Sequence, residues 1–128
     1  MNKIMKKICF LLFLFSACIV QAQNSYCTDK DISYVPDSEM DAYRLERCKL
    51  DIYYPENAAE KLPVIIDIHG GGLMYAEKEV NRVYASRLAK RGYIVVCINY
   101  SLCPDVTYPT QVSDVMASYR WVAENGED

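Results

Sequence analysis

Residues Leu62–Ala76 read LPVIIDIHGGGLMYA. Leu62–Ile68 is a nearly continuous apolar run with β-branched residues, the pattern of a strand covered on both faces in a parallel sheet. It leads into the only histidine, His69, and three consecutive glycines, Gly70, Gly71 and Gly72. Beyond them Val80, Val83, Tyr84 and Leu88 fall at helical spacing. Glu77 and Glu79 sit near the start of that segment, Lys90 and Arg91 near its end, and Gly92 where a C-terminal cap belongs. Tyr93–Ile98 (YIVVCI) is a second fully apolar strand. Two buried strands separated by a helix predict a right-handed βαβ unit.

The flanks extend this α/β pattern. Arg44–Tyr54 predicts a strand with one buried face, since Cys48, Leu50, Ile52 and Tyr54 alternate with Lys49, Asp51 and Tyr53. Pro55 ends it, and ENAAEK is a solvated loop. Residues 23–41 form a polar segment with one short strand candidate, Ile32–Val35, and a turn-rich PDSEMD. An antiparallel N-terminal edge on a parallel core makes the predicted sheet mixed and mostly parallel, flanked by helices. After the loop NYSLCPDVTYP a second helix is expected, with Val112, Val115, Met116, Tyr119 and Ala123 on one face. Asn125-Gly126 marks its stop.

The first residues address the chain elsewhere. MNKIMKK carries Lys3, Lys6 and Lys7 without an acid, an apolar run follows from Ile8 to Val20, and VQA offers a cleavage site after Ala22. Residues 1–22 therefore read as a secretory signal peptide, placing the protein in the periplasm or outside the cell. The apolar core is shorter than the about 20 residues of a membrane span, so no integral span is expected after cleavage. Lipid attachment at Cys18 fits less well, because Phe15 is a poor lipobox residue. Removing the three leader lysines shifts the formal charge from −3 to about −6, which argues against nucleic acid as a partner. Oligomeric state is not readable.

Four cysteines remain, Cys27, Cys48, Cys97 and Cys103. In an oxidising compartment they allow three disulfide connectivities, although Cys97 inside an apolar strand reads as a buried thiol. With no C-x-x-C pair and one histidine, neither a metal nor a cofactor is expected.

Three uses of the glycines compete. A dinucleotide or phosphate loop wants G-x-G-x-x-G or G-K-[ST], and neither is present. Asn99-Tyr100 also stands where a ribose-binding acid would be needed. A purely structural turn needs only the backbone freedom of glycine. An oxyanion hole needs rigid N–H donors free of obstructing side chains, aimed at the charge that develops in acyl transfer.

Three blocks bear on the choice. KLDIYYPENAAEKLPVIIDIHGGG (Lys49–Gly72), RLAKRGYIVVCINYSLCPD (Arg87–Asp105) and YPTQVSDVMASYRWVAEN (Tyr108–Asn125) together resemble α/β-hydrolase carboxylesterases of the hormone-sensitive-lipase-like and bacterial esterase families. The resemblance implies that Gly71 and Gly72, with Gly70 as a third candidate, supply oxyanion-hole amides. It also implies that His69 holds the loop in shape, and that Tyr100, Pro104 and Asp105 form a structural bend. Asn99 replaces the usual Asp, Ser101 an Arg, Cys103 an Ala and Leu73 an aromatic. The missing arginine at 101 takes an anchoring ion pair from the bend.

In such esterases the nucleophilic serine, the acid and the base follow the oxyanion loop in that order. Residues 42–128 are thus expected to be a partial α/β-hydrolase domain lacking the G-x-S-x-G elbow and the rest of the triad. Ser86, Ser101, Ser113 and Ser118 read as ordinary polar residues. The expected function is hydrolysis of a small-molecule carboxylic ester by a serine esterase, with these 128 residues inactive by themselves. A non-catalytic binding protein on the same fold, or a truncated remnant, is the alternative.

Overall fold

The computed structural model describes residues 25–36, 41–58 and 61–126. The expected leader lies outside them. In order come β1 (Tyr26–Ser33), α1 (Ala42–Arg47), β2 (Lys49–Pro55), β3 (Val64–Ile68), a 3-10 turn (Lys78–Asn81), α2 (Arg82–Ala89), β4 (Ile94–Ile98) and α3 (Thr110–Asn125). The sheet order is β1-β2-β4-β3. β3 and β4 pair in parallel, Val64 opposite Ile94 through Ile68 opposite Ile98, as the βαβ reading requires. β1–β2 and β2–β4 are antiparallel, so the sheet is mixed.

Helices cover both faces. On one, Cys48, Leu50, Val96 and Ile98 pack with Tyr34 and Val35 against Val115, Trp121 and Val122 of α3. On the other, Tyr53, Val95 and Cys97 pack against Ala85 and Ala89 of α2. Two alanines at the contact let α2 approach β4 closely. Gly92 ends the excursion with φ +92°, a conformation in which a side chain would be strained.

Several expectations change. Arg44–Arg47 is helix, not strand: Asp41 caps it by accepting the Arg44 N–H at 2.9 Å, and β2 begins only at Lys49. β2 is buried on both faces, because Asp51 and Tyr53 lie under α2 and the 3-10 turn. The strand candidate Ile32–Val35 belongs to the longer β1, which ends at Ser33, while Tyr34 and Val35 turn into the core. On β3, Ile65 and Ile66 pack into the clusters on opposite faces of the sheet, as expected of a covered strand. Its outer edge is open, however: among the described residues β3 is an edge strand, with Val64 and Ile68 exposed.

The helical stripes also differ. Val80, Val83 and Tyr84 near α2, and Val112, Met116 and Tyr119 on α3, are exposed. Only Val115 of the α3 stripe meets the sheet, and beside it α3 buries Gln111, Asp114 and Ser118, because Asp114 has backbone and guanidinium partners there. All four cysteines are free thiols. Cys48 and Cys97 belong to core clusters on opposite faces. Burial pushes the Cys97 thiol up to about 12, with Asp67 and Asp51 adding to the effect.

Candidate functional site

The loop after β3 is held in a conformation few sequences would tolerate. Gly71, Gly72, Leu73 and Ala76 all have positive φ, at +111°, +61°, +62° and +84°. Left-handed Leu and Ala are costly, and such strain persists only where surrounding contacts enforce it. At Gly71 the demand is absolute: a Cβ there would sit 2.0 Å from the Tyr75 carbonyl oxygen.

Each glycine amide is aimed from its opposite edge. A peptide unit is planar, so a fixed carbonyl fixes the N–H on its other side. The Tyr100 hydroxyl donates to His69 O at 2.9 Å, which orients the Gly70 N–H. His69 Nδ1 donates to Gly70 O at 2.8 Å and so orients the Gly71 N–H. Met74 N–H donates to Gly71 O at 3.1 Å and orients the Gly72 N–H. None of these three glycine amides has an acceptor among the described residues.

His69 is buried, its ring stacked on Tyr100 with centroids 4.5 Å apart. Its Nε2 has no partner among the described residues, and no serine or carboxylate there pairs with the ring. The ring is spent on the loop. Cys103 N–H donates to Leu73 O at 2.8 Å, so the bend after β4 grips the loop at its middle as well as at its start.

The bend is anchored despite the loss of arginine at 101. Asp114 accepts the Ser101 N–H at 3.0 Å and pairs with the Arg44 guanidinium, which arrives from α1. Tyr43 accompanies it, its hydroxyl accepting the Leu102 N–H at 3.0 Å. Arg47 donates to Tyr100 O and Ala76 O at 3.0 and 2.6 Å. Three side chains of one six-residue helix thus clamp the bend and the loop exit. The sequence signal that would have exposed them was Asp41, an N-cap residue placed before Ala42.

Lys78 closes the exit. Its N–H donates to Asn99 Oδ1 at 2.7 Å, so the Asn in place of Asp still caps the turn. Its buried ammonium contacts Glu79, Asp31 and Asp51 at 2.7, 2.9 and 3.0 Å. Burial alone would lower the Lys78 pKa, but these carboxylates outweigh it and hold it above the ordinary lysine value.

The structure thus brings together His69, the three glycines and Tyr100. Ser86 and Ser118 donate to the helix carbonyls of Val83 and Val115, and Ser101 is fully buried. No serine among the described residues faces the glycine loop with a base beside it.

A βαβ unit with a glycine loop at the carboxyl end of its first strand, flanked by helices on both faces, is part of an α/β-hydrolase fold. The BD-FAE family model matches residues 50–128, and the chain belongs to that family. It is 33% identical to carboxylesterase NlhH of Mycobacterium tuberculosis over 78 residues, covering 60% of this chain and 24% of that protein. It is 32% identical to versiconal hemiacetal acetate esterase of Dothistroma septosporum, again over 60% of this chain and 24% of the relative. Among solved structures, esterase B of Lactobacillus rhamnosis superposes with a TM-score of 0.69 at 28% identity, over 98% of this chain and 41% of that one. The chain spans about a quarter of the length of these two curated esterases.

Proposed function

We propose that Gly70, Gly71 and Gly72 form the oxyanion hole of a serine carboxylesterase acting on small-molecule carboxylic esters through an acyl-enzyme. The observation that supports this reading is the set of three amides without acceptors among the described residues, each oriented by a carbonyl bonded on its far side. A tetrahedral intermediate puts negative charge on the former carbonyl oxygen, and preorganised donors stabilise it without rearranging. His69 serves as the holder of the loop. The nucleophile, acid and base come from outside the described residues, so activity belongs to the full-length polypeptide.

The test is hydrolysis of p-nitrophenyl acetate by the full-length polypeptide, with an organophosphonate as a stoichiometric serine trap. Turnover that stops with one equivalent of phosphonate supports the reading. Neither turnover nor adduct would favour a binding protein on the same fold. Replacing the Gly71 amide by an ester linkage then removes one donor without adding a side chain. Loss of one such donor costs about 10²–10³ in kcat. KM should hold, because the interaction strengthens only in the transition state.

Export through the leader belongs to the same proposal. N-terminal sequencing of exported protein should begin at Gln23, whereas a lipidated Cys18 start would place it on a membrane surface. No helix among the described residues is long and apolar enough to cross a membrane.

A further inference from the structure

Arg47 is the last residue of α1, far in sequence from the glycines, yet its guanidinium reaches the loop that contains them. Nη2 donates to Ala76 O at 2.6 Å, Nε donates to Tyr100 O at 3.0 Å, and Nη1 pairs with Glu77 at 3.2 Å. The side chain is only 13% exposed. One planar fork therefore fastens the exit of the glycine loop to the bend that holds its entrance.

The path from Arg47 to the glycines is short and has no slack. Ala76 sits at φ +84°, a conformation an alanine abandons unless it is held. The peptide before it carries the Tyr75 carbonyl, which packs on Gly71 so tightly that even a Cβ has no room. If Ala76 relaxes, that carbonyl moves, and the Gly71 backbone moves with it. The second arm acts in parallel, because Tyr100 stacks on His69 and bonds its carbonyl.

We propose that Arg47 is a positioning residue for the Gly71 amide, an inference that rests on the oxyanion reading above. It touches no substrate. It sets the direction of a donor through the Ala76 carbonyl, by charge-assisted hydrogen bonds that a neutral residue cannot replace.

The experiment uses the full-length polypeptide carrying Arg47→Ala or Arg47→Lys. It reads kcat and KM on the activated ester, and ¹⁵N order parameters of Gly71 and Gly72. Lysine keeps the charge and most of the volume, so folding is retained, but one ammonium cannot reproduce the planar fork. Arg47→Ala should lower kcat by about 10²-fold, the scale of a misplacement near 1 Å. KM should stay within about twofold. Order parameters of the two glycines should drop from the rigid range near 0.85 towards 0.6. Arg47→Lys should fall between, and added guanidinium ion should restore part of the kcat lost in Arg47→Ala. A folded Arg47→Lys or Arg47→Ala protein with normal kcat, alongside a Gly71 ester variant that loses kcat, would overturn the role of Arg47 alone. Normal kcat in the Gly71 ester variant as well would overturn the oxyanion reading and this inference with it.

Discussion

Lys78 Nζ lies 3.0 Å from Asp51 Oδ1, and both side chains are buried. Asp51 sits in β2 opposite Cys97 of β4, beneath the turn that carries Lys78 away from the glycine loop. The same carboxylate oxygen accepts the Asp31 N–H at 3.0 Å, across the bulge where β1 shifts register. An ion pair here joins the edge strand, the sheet centre and the loop exit. Removing one partner of a buried pair strands the other charge and typically costs 3–5 kcal/mol, whereas replacing both by apolar groups is often neutral. Lys78→Met should therefore cost roughly 3–5 kcal/mol in urea unfolding, and Lys78→Met with Asp51→Leu distinctly less. A double variant weaker than the single one would show that the pair is a net stabiliser.

The same cluster sets a pH window. The Lys78 ammonium holds Asp31 and Glu79 below the ordinary carboxylate range. A folded-state pKa below the unfolded one contributes stability above the unfolded value, about 3.9 for Asp and 4.3 for Glu, and that stability is lost as pH falls through the folded values. Lys78 is shifted the other way, raised by Glu79, Asp31 and Asp51 against the cost of burial. Its contribution is complete below about 10.4 and is lost as pH rises through its folded value. Stability should be flat between about pH 5 and 8 and fall on both sides. On the alkaline side it falls first through the buried Cys97 thiol, whose unfolded pKa is about 8.5 and whose folded pKa is pushed up to about 12, and then through Lys78. The acid limb attributable to Asp31 is small, since its side chain is 65% exposed and water screens the pair. Urea midpoints measured across pH would show the alkaline limb flattened in the Lys78→Met, Asp51→Leu double variant. An unchanged alkaline limb would assign it to other groups.

The central βαβ unit was legible because its signals are local and agree with one another. β3 and β4 are runs of Val and Ile, and Gly92 marks the stop between them. What escaped depends on partners distant in sequence. Asp51 looked solvent-facing by alternation, and partners distant in sequence, the Lys78 ammonium and the Asp31 N–H, make its burial tolerable. Six residues of α1 show no usable period, so Arg44 and Arg47 could not be placed on a helix. The Ser101 departure promised an unanchored bend, yet Arg44 fills the gap from another element. On α3 only Val115 of the expected apolar stripe packs on the sheet, because the bend requires Asp114 on that side. His69 and the glycines were legible through the HGGG run, but the peptide planes that aim their amides were not.

The exposed stripes make a prediction about solution behaviour. Among the described residues, Val80 before α2, Val83 and Tyr84 on it, Val112, Met116 and Tyr119 on α3, and the open edge of β3 present apolar surface and unpaired backbone. Such edges and patches promote association. Residues 23–128 expressed alone should bind a hydrophobic dye and self-associate, as judged by fluorescence and light scattering. Tyr84→Lys with Met116→Lys should reduce both signals and change stability by no more than about 0.5 kcal/mol per site. A monodisperse, dye-silent parent chain would contradict this.

The glycines of positive φ should separate into two kinds. Gly72 and Gly92 have positive φ, but a Cβ at either meets nothing within 4 Å. Alanine at those positions should cost only the left-handed conformation, roughly 1–2 kcal/mol. Gly92→Ala, remote from the donor array, should leave kcat per folded molecule unchanged. Gly71 is different, because the Tyr75 carbonyl already occupies the space a methyl would need. Gly71→Ala can fold only if the Tyr75–Ala76 peptide shifts, which drags Arg47 and the loop exit with it. Its kcat loss should therefore exceed that of the Gly71 ester variant, which removes the same donor and leaves the backbone in place. Its stability loss should also exceed that of Gly92→Ala. Thermal unfolding and kcat on the activated ester, measured for all three variants, check both orderings. A Gly71→Ala protein as stable as Gly92→Ala with near-normal kcat would mean that the loop yields freely and that no oxyanion is bound at this amide.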